Sequence, residues 1–68
     1  MAIWSIHNSE GDYVGQADGT TAEVAFCLLM RISGAEYDLK EMETRQEPNG
    51  DCILTARGEA FILRNLGE

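Results

Sequence analysis

The chain has 68 residues, 44% of them hydrophobic, and its 12 acidic side chains outweigh five basic ones for a net charge of −7. One domain spanning residues 1–68 follows from that length, and the apolar content is too high for a disordered segment. The acidic balance excludes direct binding to nucleic acid and to an anionic membrane surface, while it suits a basic protein partner.

Two cysteines, Cys27 and Cys52, are too few for a disulfide framework and read as small buried hydrophobes. Residues 1–5 lack the basic region and long apolar run of a signal peptide. The longest fully apolar run, residues 24–30, falls far short of a membrane span. A cytoplasmic, reducing setting is the expectation.

Residues 2–7 alternate, with Trp4 and Ile6 on one face and Ile3, Ser5 and His7 on the other, which predicts a strand. Asn8-Ser9-Glu10-Gly11 is turn chemistry, and residues 12–17 return as the second strand of a hairpin. Thr20-Thr21-Ala22-Glu23 matches a capping box, with Thr20 opening a helix over residues 21–33. Gly34 sits where that helix should end.

This helix is apolar on most sides. Ala22, Ala25, Phe26, Leu29 and Ile32 form the stripe expected to pack on the sheet, against Trp4, Ile6, Tyr37 and Leu39. Val24, Cys27 and Leu28, with Met30 at the margin, fall outside that stripe. They are either covered by other parts of the chain or serve as an apolar interface. Ile3, Val14, Ile53 and Ile62 on the opposite sheet face offer an alternative contact surface.

Residues 37–46 predict a third strand whose alternation slips, so a bulge near Lys40-Glu41 is expected. Glu47-Pro48-Asn49-Gly50 turns, residues 51–56 form a strand, Arg57-Gly58-Glu59 turns again and residues 60–64 return. The predicted fold is α+β: an antiparallel sheet of four to five strands with one helix packed on one face, in the order ββαββ or ββαβββ.

No motif carries a specific chemistry. His7, the only histidine, offers a base for Cys27 or Cys52 as nucleophile, but no orienting third group is identifiable. One histidine and two distant cysteines match no zinc spacing, Asp12, Asp18 and Asp51 lack the calcium-loop pattern, and the scattered glycines form no phosphate loop. No catalysis, cofactor or metal is expected.

The acidic stretch is more informative. Glu36, Asp38, Glu41, Glu43, Glu47 and Asp51 stand against only Lys40 and Arg45. On a strand, these carboxylates would form either a solvated face that protects an edge or a surface that imitates nucleic-acid phosphates. The leading expectation is a small acidic protein-binding module whose partner is a basic nucleic-acid-binding protein or complex. The alternatives are a homodimer with no dedicated ligand and a small enzyme or ligand binder using His7 or a cysteine.

In its length, its run Glu36-Tyr37-Asp38-Leu39-Lys40-Glu41-Met42-Glu43 and its strand–helix–strand order, the chain resembles small acidic inhibitors of phages and mobile elements. That class includes anti-CRISPR inhibitors and other nucleic-acid mimics. The resemblance implies an inhibitor that blocks a nucleic-acid-binding site on a bacterial defence complex.

Overall fold

The computed structural model describes residues 1–67. Among these residues, five strands and one helix follow in the order β1 (Ala2–Asn8), β2 (Tyr13–Gly19), α1 (Ala22–Ile32), β3 (Met42–Gln46), β4 (Cys52–Ala56) and β5 (Glu59–Gly67), with a 3₁₀ turn at Leu39–Glu41. All neighbouring strands are antiparallel, and their order across the sheet is β2-β1-β5-β4-β3. The helix covers one face, which is the α+β arrangement expected, in its five-strand form.

The hairpins follow local chemistry. Asn8 Oδ1 accepts from the backbone N–H groups of Glu10 and Asp12, closing the β1–β2 turn. At the β4–β5 turn Ala56 pairs with Glu59, so Arg57 and Gly58 alone reverse the chain, both at positive φ (51° and 79°). A two-residue turn of this hand matches the right-handed twist of its strands. The return strand is a true hairpin partner and runs on to Gly67, well past the expected residue 64.

Three expectations are corrected. The helix N-cap is Thr21, whose Oγ1 accepts from Val24 N–H, rather than Thr20 in a box with Glu23. Residues 37–46 are not one bulged strand. The slip in their alternation is a 3₁₀ turn: Asp38 caps it by accepting from Lys40 N–H, and Glu41 Oε1 accepts from Asp38 N–H, so the capping box lies here instead. Ile32, placed in the core stripe, is 73% exposed. It occupies the last helical turn, beyond the part of the helix that lies over the core.

Gly34 ends the helix as expected. Its N–H donates to the carbonyl of Arg31, that of Ala35 to Met30, and its φ is 93°. These are the two bonds of a Schellman ending.

The core lies between α1 and the sheet. It joins Ile6, Ala22, Phe26, Cys52, Leu54, Ala56, Phe61 and Leu63, with Trp4, Leu29, Met30, Tyr37 and Met42 packed around it. Phe26 is fully buried; its ring lies tilted at 4.8 Å from that of Phe61 and edge-on at 5.2 Å from that of Tyr37. Met30, read as a margin of the interface, belongs with this packing. The helix lies close on β2: a Cβ built at Gly15 would sit 3.0 Å from a Leu29 methyl, and one at Gly19 only 2.6 Å from the Ala25 nitrogen. Glycine at Gly19 is therefore what lets the corner between strand and helix close.

Candidate functional site

The unassigned side of α1 opens on a groove of about 920 Å³. Val24, Cys27, Leu28 and Arg31 line it from the helix, at the spacing that puts residues on one face. Glu36, Tyr37, Asp38, Leu39 and Glu41 form the facing wall, and Asp18, Gly19 and Thr20 close it at the β2–α1 corner. Val24 and Leu28 are about two-fifths exposed (40% and 39%), and Leu39 is 55% exposed. Leu39, expected beneath the helix, thus adds to the apolar lining instead.

One residue holds the facing wall in place. Arg57 projects from the β4–β5 turn, and its guanidinium binds Glu41 Oε1 at 2.8 and 3.1 Å and donates to the carbonyl of Glu36. It also lies 4.0 Å from the centre of the Tyr37 ring. These contacts reach back across 16 and 21 residues. The Arg57 hydrogen bond is the main cause that holds the Glu41 carboxyl below its ordinary pKa. The same pairing raises that of Arg57.

The six carboxylates read as one acidic row are divided by the fold. Glu36, Asp38 and Glu41 belong to the groove wall. Glu43 lies opposite Thr55, one residue from the core pair Met42–Ala56, so it points to the helix-free face. Glu47 pairs with Arg45 at 3.1 Å, and Asp51 with Arg64 at 3.1 Å. The Arg64 hydrogen bond is the main reason Asp51 stays below its ordinary pKa. The expected continuous strand broke into a loop, a 3₁₀ turn and a short strand, and the row of charges broke with it.

Within the groove, four carboxylates (Asp18, Glu36, Asp38 and Glu41) stand with two guanidinium groups, Arg31 and Arg57, and with Met1. Glu41 is bound by Arg57, and Asp38 accepts from Lys40 N–H, so Asp18, Glu36 and Asp38 supply the remaining acidic lining. The result is an apolar floor with an acidic rim.

Cys27, also in the groove, is half-buried, and its thiol donates to the Tyr37 carbonyl at 3.7 Å. Burial pushes both thiols above their ordinary pKa, most of all through lost hydration of the thiolate. His7 is placed elsewhere. It lies opposite Tyr13 and Ile62 on the helix-free face, with Nε2 3.1 Å from Ser5 Oγ. The sheet separates it from Cys52, which lies in the core beneath the helix. No group of three or more His, Cys, Asp or Glu side chains among the described residues is arranged to hold a metal.

Val24, Cys27, Leu28, Glu36, Asp38 and Glu41 were legible in the sequence as two unrelated features. Their meeting in one groove was not, nor was the part played by Asp18, Arg31, Tyr37, Leu39 and Arg57. The Arg57-Gly58 turn is a local signal, but nothing local says where the arginine side chain returns.

No family model, curated protein or solved structure matches the chain. Its class is therefore defined by its own architecture: a five-stranded antiparallel sheet, one helix across it, and a groove on the outer side of that helix. No helix among the described residues is long and apolar enough to cross a membrane.

Proposed function

We propose that this chain is a small acidic protein-binding module with no catalytic chemistry of its own. Its groove takes a partner segment that presents one or two apolar side chains flanked by Lys or Arg. The observation that carries this reading is the convergence of Val24, Leu28 and Leu39 with Asp18, Glu36 and Asp38 on one open groove. Apolar floors supply affinity, while rim charges steer encounter and choose among partners.

The resemblance to small acidic inhibitors suggests the partner class: a cytoplasmic, basic nucleic-acid-binding protein or complex of bacterial defence, kept from its nucleic acid while the module is docked. Three carboxylates are too few to imitate a duplex, which carries about one charge per 1.7 Å. The reading is therefore one of groove docking with electrostatic guidance rather than of a phosphate replica.

The test is affinity capture from a bacterial lysate, read by mass spectrometry, with the unaltered chain and three variants. A nucleic-acid-binding protein should be retained by the unaltered chain and by Glu43→Lys, and lost from Val24→Lys and from Glu36→Lys. Its retention should also fall steeply as salt rises. The same protein retained equally by all four chains overturns the reading.

A further inference from the structure

Charge is unevenly spread along the chain. Residues 1–30 contain Glu10, Asp12, Asp18 and Glu23 but no Lys or Arg, and every Lys and Arg comes from position 31 onward. The ion pairs among the described residues join Arg45, Arg57 and Arg64 to Glu47, Glu41 and Asp51, so none of those four carboxylates takes part in one. In the fold this uncompensated half contains β2, one of the two edges of the sheet.

Past the bulge near its start, β2 is regular. Gly15 to Gly19 pair with β1 in unbroken register, from Gly15 opposite Ile6 to Gly19 opposite Ala2, and their outer backbone groups face no strand. Side chains alternate along the strand. Ala17 and Gly19 are buried on the helix side, so Gln16 and Asp18 stand exposed on the helix-free face. Above the strand, Ala25 sits at Gly19 and Leu29 at Gly15, so the helix runs antiparallel to β2. Ile32, almost one turn beyond Leu29, lies past the edge at the level of Val14, and the two are 73% and 43% exposed. At the other edge, β3 carries charges of both signs, Glu43 and Arg45, and is followed by Pro48, devices that discourage pairing with another chain.

We infer that the outer edge of β2 takes an extended basic segment of a partner protein as a sixth strand, its Lys or Arg side chains alternating with apolar ones. Backbone hydrogen bonds hold such a segment to an edge, and its alternate side chains decide which segment fits. Here the apolar side chains cover Ile32 beside the helix, and the basic ones meet Asp18 and Gln16 on the opposite face, with Asp12 beyond the bulge. Charge selects this occupant. A second copy laid antiparallel on residues 12–18 would set Asp12 against Asp18 and add to the repulsion between two molecules of net charge −7. The carboxylates that exclude self-pairing are thus the ones that admit a basic strand. At β3 the same segment would meet Arg45. This inference does not depend on the groove reading: of the residues it uses, Asp18 and Gly19 reach the groove, whereas Gln16 and Ile32 lie outside it.

The probe is a synthetic peptide, Lys-Val-Lys-Val-Lys-Val-Lys, acetylated and amidated. Its counterpart with proline for every valine keeps the charge but loses backbone donors and strand geometry. In an NMR titration the valine peptide should bind with a Kd on the order of 100 µM, and the proline peptide at least about tenfold more weakly. Hydrogen exchange keeps the test independent of any variant: amides of β2 should slow on binding, and those of β3 should not. Gln16→Lys and Ile32→Lys should each weaken binding about fivefold or more with an unchanged far-ultraviolet circular dichroism spectrum. Val24→Lys, which puts a charge in the groove, should bind the peptide as the unaltered chain does. Equal affinity for the two peptides overturns the inference, as does protection of β3, binding that survives both edge substitutions, binding lost in Val24→Lys, or no binding at about 1 mM peptide.

Discussion

The guanidinium of Arg57 lies 4.0 Å from the centre of the Tyr37 ring while two of its nitrogens bind the Glu41 carboxylate. One side chain thus fastens both ends of the groove wall to the far hairpin. It does so from a backbone position at φ 51°, where residues with a Cβ are strained.

Two substitutions separate these roles. Arg57→Ala and Arg57→Gly both release the wall, so amide exchange at Lys40 and Glu41 should quicken in each. Glycine relieves the backbone as well, so Arg57→Gly should be more stable than Arg57→Ala by about 1 kcal/mol in urea denaturation. Equal stabilities would show that the turn carries no strain.

The β2–α1 corner predicts a contrast between two glycines. A Cβ at Gly19 meets backbone atoms of Ala25 and Thr21 at 2.6 and 2.9 Å, which cannot move without shifting the helix. At Gly15 the obstacle is the Leu29 methyl at 3.0 Å, the end of a flexible side chain. Gly19→Ala should destabilise by about 1–3 kcal/mol, in the range of an overpacked core, and Gly15→Ala by less. Chemical denaturation of both variants checks the order.

Acid should weaken the fold in a defined window. Glu41 and Asp51 are both held below the ordinary carboxylate pKa, chiefly by hydrogen bonds from Arg57 and Arg64. Groups with a lowered folded-state pKa add stability that is fully present above the unfolded value, roughly pH 4, and is lost as pH falls through the folded value. The urea midpoint should therefore drop on acidification below about pH 5, and it should drop less in a Glu41→Gln, Asp51→Asn double variant. A double variant with the same acid profile as the unaltered chain would place the sensitivity elsewhere.

The two thiols should be told apart by their reactivity. Cys27 is half-buried in the groove and hydrogen-bonded to the Tyr37 carbonyl, with its pKa raised by burial. A maleimide should modify it more slowly than an exposed cysteine at neutral pH, with the rate climbing as pH rises. Cys52 lies within the core, so its modification should wait on global unfolding and follow the denaturant curve. Similar rates at both positions would contradict this placement.

Elements with a single local cause were legible in the sequence. The β1 alternation, the Asn8-to-Gly11 turn, the helix and its Gly34 ending all depend on neighbours within five residues or so. The misread elements are those decided at a distance. Residues 37–41 have the alternation of a strand, but Asp38 and Glu41 cap a 3₁₀ turn and Arg57 pins it from across the fold. Ile32 has the periodicity of a core residue, yet it lies in the last turn of α1 and is exposed. The groove was out of reach for the same reason, since its walls are far apart in the chain.

The pairing of β1 with β5 sets Ile3 beside Gly67 in the middle of the sheet. Every other strand pair joins neighbours in the chain through a turn. Within the sheet the molecule is thus two local halves, β1-β2 and β3-β4-β5, joined along one seam of high sequence separation, with α1 packed across it through Phe26 on Phe61. Closing that seam carries the largest loop entropy in the molecule, which makes it the step expected to limit how fast the protein folds.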